Sequence, residues 1–321
     1  MSRFIQRGIF VIFLTTIFLL GCSDNHSKPL HLGTNVWPGY EPLFLARSLG
    51  YLKNEEIKLV EFISSSEVMR AFTNQSLDAA ALTLDEALLL LEQGIDITII
   101  LVNDISNGAD VILGKPDIKV MPSLIGKRVG VEGNALGAYT LARALELHHL
   151  SLEDIEIIQL EVNEHEKAYK EDLIDAVVTF EPVRTKLLNK GAHELFSSRE
   201  IPDEIVDVLV VSNSRLKLQV SNIQKLVNGW FKALDYLNKF PEDAAQRMTA
   251  RLKMTPEEIL SSFKGLYFPN REENIRLITG SNPALLSTAQ RLQSIMATNK
   301  LLQKDIQAHR LFKTHPPGLT H

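Results

Sequence analysis

A chain of 321 residues with 45% apolar residues and a formal net charge of −5 can bury a sizeable core and is mildly acidic. No cluster of Lys and Arg stands out, which excludes a nucleic-acid surface, because that needs a basic stripe. With a single cysteine, an intrachain disulfide and C-x-x-C redox or metal chemistry are excluded as well.

Residues 1–7 form a short basic stretch and residues 8–20 an almost unbroken apolar run. A bilayer-crossing helix needs about 20 apolar residues, so this run is short for one and has the pattern of a secretory signal. Leu19-Leu20-Gly21-Cys22 resembles a bacterial lipobox, in which the cysteine is acylated and becomes the first residue of the mature chain. The competing reading is an uncleaved anchor. The lipobox reading predicts a lipoprotein exported to the periplasmic or outer face of the membrane, with no free thiol and a core stabilised by packing alone. Residues 23–29 read as a polar tether.

From residue 30 the pattern alternates short strand-like runs with helical stretches. Strands are expected over 30–36, 57–63, 78–82, 95–102 and 110–113, with helices over 41–49, 67–75 and 85–93 between the first four. The alternation predicts βαβ units and a parallel sheet. It restarts after Lys115-Pro116-Asp117, with strands over 127–131, 155–160 and 176–180 and helices over 136–148, 164–173 and 182–189. A further apolar strand spans 207–211. Beyond Ser214 the chain reads as helical, broken at Pro241, Pro256, Pro269 and Pro283. Leu77-Asp78-Ala79-Ala80-Ala81-Leu82-Thr83-Leu84-Asp85-Glu86 recurs in style as Ile174-Asp175-Ala176-Val177-Val178-Thr179-Phe180-Glu181-Pro182, and two such halves suit two facing α/β lobes. The expected division is a signal at 1–22, a tether at 23–29, a first lobe from 30–113 plus 207–321, and a second lobe from 114–206. Two crossings between lobes would form a hinge that closes on ligand.

Open α/β sheets bind ligands beyond the carboxyl ends of their strands, and that rule turns the strands into candidate site residues. After the first strand come Trp37, Pro38 and Tyr40, whose rings could stack on a heterocycle or hold a cation; equally, they could plug the core. Ser64, Ser65 and Ser66 could present hydroxyls and helix-terminal N–H groups, although Ser64 and Glu67 also have capping-box spacing. Thr83 and Glu86 share that spacing, which puts Asp85 in a first helical turn, where a carboxylate is favoured by the helix dipole. In the second lobe the corresponding candidates are Asn134, Ala135 and Glu181, with Asp104 and Asp110 near the crossing as weaker ones. If Asp85 and Glu181 both face the cleft, the ligand should carry a cation or several N–H donors. The G-x-G-x-x-G and Walker spacings, H-E-x-x-H and G-x-S-x-G are all missing, and Glu164-His165-Glu166 reads as a solvated helix start. No cofactor or metal is implied.

Gly33-Thr34-Asn35-Val36-Trp37-Pro38-Gly39-Tyr40 and Leu45-Ala46-Arg47-Ser48-Leu49-Gly50-Tyr51-Leu52 resemble the opening of the NMT1/THI5-like substrate-binding proteins. Leu124-Ile125-Gly126-Lys127-Arg128-Val129-Gly130-Val131 is similar to that family's start of a second lobe. The resemblance spans about residues 30 to 215 and rests on the order and spacing of these strings. It implies a periplasmic-binding-protein fold of two lobes and a monomer that binds nitrate, an alkanesulfonate, taurine or a thiamine pyrimidine precursor for an ABC permease. Trp37-Pro38 resembles the pyrimidine-precursor binders more than the sulfonate binders, and the acids agree with a nitrogen-rich ligand. Two alternatives stay open: a ligand sensor for a membrane signalling protein, and an enzyme of this fold acting on a pyrimidine-like metabolite. The yeast-type synthase of this fold depends on a Cys-rich motif missing here, and an export signal is out of place in the cytosolic menaquinone-pathway enzymes.

Overall fold

The computed structural model describes residues 28–133 and 135–319. The signal and lipobox readings, including Cys22, lie outside the described residues, as do most of the tether and Asn134. The described residues form eleven strands: β1 Leu30–Thr34, β2 Ile57–Glu61, β3 Ala79–Thr83, β4 Ile97–Ser106, β5 Val111–Gly114, β6 Arg128–Val131, β7 Glu156–Gln159, β8 Ala176–Thr179, β9 His193–Ser197, β10 Val206–Ser212 and β11 Leu266–Tyr267. The α-helices are α1 Glu41–Ser48, α2 Ser65–Thr73, α3 Leu84–Glu92, α4 Ala135–Leu147, α5 Val162–Lys170, α6 Val183–Leu188, α7 Asn213–Leu216, α8 Val220–Lys239, α9 Pro241–Leu252, α10 Pro256–Ser262, α11 Arg271–Ile278 and α12 Leu285–Thr298. Pro241 and Pro256 open α9 and α10, where the missing N–H costs nothing and the fixed φ suits the first turn.

The strands build two sheets, ordered β11-β4-β10-β3-β1-β2 and β7-β6-β8-β5-β9. Each carries a parallel triplet along one side, β2-β1-β3 ending at the edge strand β2 and β7-β6-β8 ending at the edge strand β7. In β3 every residue is buried, as expected of a central strand covered on both faces. The expectation of a parallel sheet is corrected at the joins: β10 runs antiparallel to β3 and β4, and β5 antiparallel to β8 and β9. Both strands enter their sheet directly from the other lobe, so they start at the end where the neighbouring parallel strands finish. The boundary shifts with them. The strand expected at 110–113 within the first lobe pairs with β8 and β9 of the second sheet, so the chain changes lobes before Val111.

The two crossings, 107–110 and 198–205, are tied side by side. Ser106 Oγ and Ser198 Oγ lie 2.8 Å apart, Gly108 N donates to Ser198 Oγ at 2.6 Å, and Ser198 N donates to the Asp110 carbonyl at 2.9 Å. Gly108 has φ +110°, and a Cβ there would lie 2.3 Å from the Arg199 guanidinium carbon. The first crossing therefore favours glycine for its conformation, since the exposed Arg199 side chain could swing away from a Cβ. Asn107 N donates to the Gly265 carbonyl at 2.8 Å beside β11, so the C-terminal helical segment braces the hinge from the first lobe.

Candidate ligand-binding cleft

The ends of β1, β3, β4 and β10 near Thr34, Thr83, Asp104 and Asp207 face Glu132 and Phe180, which follow β6 and β8, where the strand-end rule places a ligand. The lobes touch across this gap. Ser66 Oγ donates to Glu132 Oε1 at 2.9 Å, and the Ser66 backbone N–H lies 3.4 Å from the same oxygen. The Trp37 and Phe180 rings meet edge to face, 5.5 Å between centroids at 88°. At the far rim Asn189 Nδ2 donates to Glu258 Oε1 at 3.2 Å.

Closure leaves two small cavities. The first, about 20 Å³, is lined by Asn35, Trp37, Tyr40, Ser65, Thr83, Glu86, Asp110, Leu136, Phe180 and Asp207. The second, about 10 Å³, is lined by Asp110, Glu132, Leu136, Gly137, Thr140, His165, Val178, Thr179 and Phe180. Asp110, Leu136 and Phe180 wall both. A water needs roughly 10–15 Å³, so this is a closed conformation with space for little more than solvent. A larger hollow, about 780 Å³, lies at the opposite end of the first sheet between Phe72, Leu77, Ile95, Arg215 and Lys313. Among the described residues only the first lobe walls it, so lobe closure cannot act on it.

The cleft gathers acids. Glu86, Asp110, Glu132 and Asp207 line the cavities, and Asp104 sits behind Trp37, accepting from its indole Nε1 at 3.3 Å. No Lys or Arg is among the described residues lining either cavity. Asp207 faces Asp104 on β4 and Thr83 on β3 in register, and like charges placed opposite each other on neighbouring strands repel. Burial raises Asp207 well above the usual carboxylate range, and the charge of Asp104 pushes it further. Burial likewise raises Asp104. Asp110 is pushed up to about 7 by burial, with Glu181 adding to it. Glu132 is also raised to about 7 by burial, then by Glu86, although its hydrogen bonds from Ser66 pull the other way. Oδ2 of Asp110 and Oε2 of Glu132 are buried without a hydrogen-bond partner among the described residues. A buried carboxyl in that state is an acceptor waiting for a donor. His165, buried beside the second cavity with Nδ1 3.2 Å from Thr179 Oγ1, is driven down to about 4 by burial and stays neutral.

The candidate residues divide. Trp37, Tyr40, Ser65 and Thr83 line the first cavity, and Ser66 makes the bridge to Glu132. Tyr40 donates its hydroxyl to Asp207, and burial followed by that acid raises its pKa. Pro38 lies buried in the short 3-10 turn Pro38–Tyr40 and walls neither cavity. In that turn a Cβ on Gly39 would lie 1.9 Å from Asp104 Oδ2, so glycine lets the backbone pass over the acid. Ser64 is spent on the helix: its Oγ accepts from Glu67 N at 3.3 Å as the cap of α2. Asp85 is buried in the first turn of α3 but walls neither cavity, whereas Glu86, one position on, lines the first and also accepts from Thr83 N at 3.0 Å. Glu181 is turned to its own helix, accepting from Arg184 Nη1 at 3.1 Å, Thr185 N at 3.1 Å and Thr185 Oγ1 at 3.0 Å. Ala135 begins α4, and Asn134 lies outside the described residues. Asp207 was not among the sequence candidates, although a lone acid inside the apolar run Ile205–Val211 is a signal that could have found it.

Two α/β lobes joined by a paired crossing, with a cleft at the strand ends, define a periplasmic-binding-protein-like fold. Residues 23–253 match the NMT1-like family, and the chain belongs to it. An aliphatic sulfonates-binding protein of Bacillus subtilis (strain 168) is 23% identical, over 80% of this chain and 87% of its own. Among solved structures, the alkanesulfonate-binding protein of Xanthomonas axonopodis pv. citri bound to MOPS superposes with a TM-score of 0.74 at 17% identity, covering 87% of this chain and 96% of its own. The periplasmic aliphatic sulphonate binding protein of Escherichia coli gives 0.72 at 18% identity, covering 89% and 97%. A desulfurization enzyme shares the fold too, with a TM-score of 0.62 at 18% identity over 90% of this chain and 97% of its own.

Proposed function

We propose that this chain is a solute-binding protein of an ABC-type importer, exported and anchored through lipid at Cys22. It captures a small, positively charged, nitrogen-containing organic molecule by closing its lobes, and it passes that molecule on without transforming it. The solute-binding role draws support from the fold and from the sulfonate-binding proteins to which the chain is similar. The observation that carries the choice of ligand is the set of buried acids, Glu86, Asp104, Asp110, Glu132 and Asp207, gathered where no Lys or Arg lines the cavities among the described residues. A sulfonate is an anion at any working pH and would meet these groups with no cation to offset them. An ammonium or amidinium would supply donors to the oxygens of Asp104, Asp110 and Glu132 that have no partner among the described residues and lower the carboxyl pKa values at once.

The test is a thermal-shift panel on the full chain in detergent, spanning amines, amidines, aminopyrimidines, alkanesulfonates, taurine and nitrate. A ligand specific for the folded state adds about 2.7 kcal/mol of stability at a hundredfold excess over Kd. A rise with the cationic nitrogen compounds is expected. A rise with an alkanesulfonate or nitrate alone would refute the cationic reading, and turnover of a bound compound would replace binding by catalysis.

A further inference from the structure

Resting on the reading that the chain is anchored through lipid at Cys22, we propose that the far end of the first lobe, around the large hollow away from the cleft, docks on the anionic phospholipid surface of that membrane. The tether limits how far away the bilayer can be. Cys22 and Lys28 are six positions apart, so even a fully extended chain keeps them within about 20 Å. Lys28 is fixed to the body of the lobe, its carbonyl accepting from Gln219 Nε2 at 2.8 Å. Gln219 directly follows Lys217 and Leu218, which wall the hollow of about 780 Å³. This surface therefore lies beside the point where the anchor leaves the fold.

Its chemistry suits an anionic bilayer. Leu218 is 70% exposed, more than any other large apolar side chain among the described residues, and Val220 is 39% exposed. One exposed leucine decides nothing by itself, but this one stands between a lysine and the start of α8. Arg215, Lys217 and Lys313 line the hollow against a single acid, Asp96. Arg215 is paired with Asp78 at 2.9 Å and Asp96 with Arg310 at 3.5 Å, which offsets both. Lys217 and Lys313 are exposed and have no ion pair among the described residues. Because α8 starts at Val220 without a side-chain cap, the positive end of its dipole adds to the two lysines. Glu56, whose carbonyl receives the Leu30 N–H, is itself held by Lys225 at 2.7 Å. Headgroup phosphates would meet the lysines at the mouth of the hollow while Leu218 enters the apolar layer beneath them. Such attraction reaches only about 8 Å through physiological salt, and the short tether supplies that closeness. The hollow and the cleft lie at opposite ends of the first sheet, so docking here points the cleft away from the bilayer and leaves the second lobe free to close.

The experiment is hydrogen exchange on the full chain reconstituted into phosphatidylcholine vesicles, with and without phosphatidylglycerol, with flotation as the check on anchoring. Amides of residues 215–220 are expected to exchange about tenfold or more slowly on the anionic vesicles, since each docked lysine is worth roughly a factor of five. The double variant Lys217→Glu with Lys313→Glu, shown to be folded by its melting curve, should exchange alike on both. Equal exchange in the parent protein, or protection that survives the charge reversal, overturns the docking while a floating chain keeps the anchor. Protection by inorganic phosphate on neutral vesicles, matching that on anionic ones, gives the hollow to a soluble anion and overturns the docking as well. A chain that floats with neither vesicle overturns the anchor and the docking together.

Discussion

Asp110→Asn is expected to make the empty protein more stable and its grip on a cation weaker. The carboxyl of Asp110 is lifted from 3.8 to about 7, chiefly by burial. Because the folded state holds this proton more tightly than the unfolded chain, the protein is most stable with the group protonated. That stability is lost as pH rises from about 4 to about 7, then levels off. Three pH units at about 1.4 kcal/mol each put the cost of the buried anion near 4 kcal/mol at neutral pH and above, as an upper figure. Asparagine avoids that ionisation, and after the loss of about 1 kcal/mol of hydrogen bonding from Ser106 Oγ or its neighbours the net gain is about 2–4 kcal/mol. For a chain of this size that corresponds to roughly 4–8 °C in melting temperature. The assay is intrinsic-fluorescence melting of both proteins without ligand, near pH 4 and near pH 8. The variant should melt higher near pH 8, and the difference should largely vanish near pH 4. A difference that is independent of pH, or a variant that melts lower near pH 8, would refute the account of Asp110 as a buried acid poised for a positive ligand.

Trp37→Ala removes both the indole donor to Asp104 and the ring edge on Phe180; it should cost about 3–5 kcal/mol of stability and weaken ligand binding by about tenfold or more, read by melting and calorimetry. Affinity equal to that of the parent protein would move the ligand away from the ring. Ser66→Ala deletes the hydroxyl that joins the lobes at Glu132, worth about 1 kcal/mol or roughly a fivefold change in the closed-to-open ratio. Small-angle scattering of the empty protein should show a larger radius of gyration, and an unchanged one would make the contact incidental to closure. Cys22→Ser should leave unprocessed precursor and abolish acyl labelling in cells; labelling at the parent level would refute the lipid anchor.

Much of the architecture follows from local pattern. Apolar runs such as Ala79–Thr83 between capped helices read directly as strands of an α/β fold, because burial on both faces leaves no polar alternation to confuse them. Sheet membership is another matter. Nothing in Val111-Ile112-Leu113 says which of two sheets it will join, since its pairing with β8 and β9 is decided by where the chain crosses. The same limit governs the acids. Asp104 and Asp207 lie 103 positions apart in sequence, and only the antiparallel register of β4 and β10 sets them opposite each other. Capping obscures the site from the other direction: Ser64 and Glu181 have the right residue types at the right strand ends, and nearby helix N–H groups also bond to them. Adjacent positions on α3 then separate Asp85 from Glu86, because a helix turns its successive side chains about 100° apart.

The placement of β10 also dictates the order in which the molecule can be assembled. This strand lies between β3 and β4, so the first sheet has a missing central member until residue 212 is available. The stretch from Val111 to Ser197, by contrast, contains all five strands of the second sheet without interruption. The second lobe can therefore complete itself as a continuous unit while the first is still two separated fragments. Joining those fragments carries the longer loop-closure cost, which slows folding. During that interval the apolar edges of β3 and β4 lie open, and it is there that a chaperone would find something to hold.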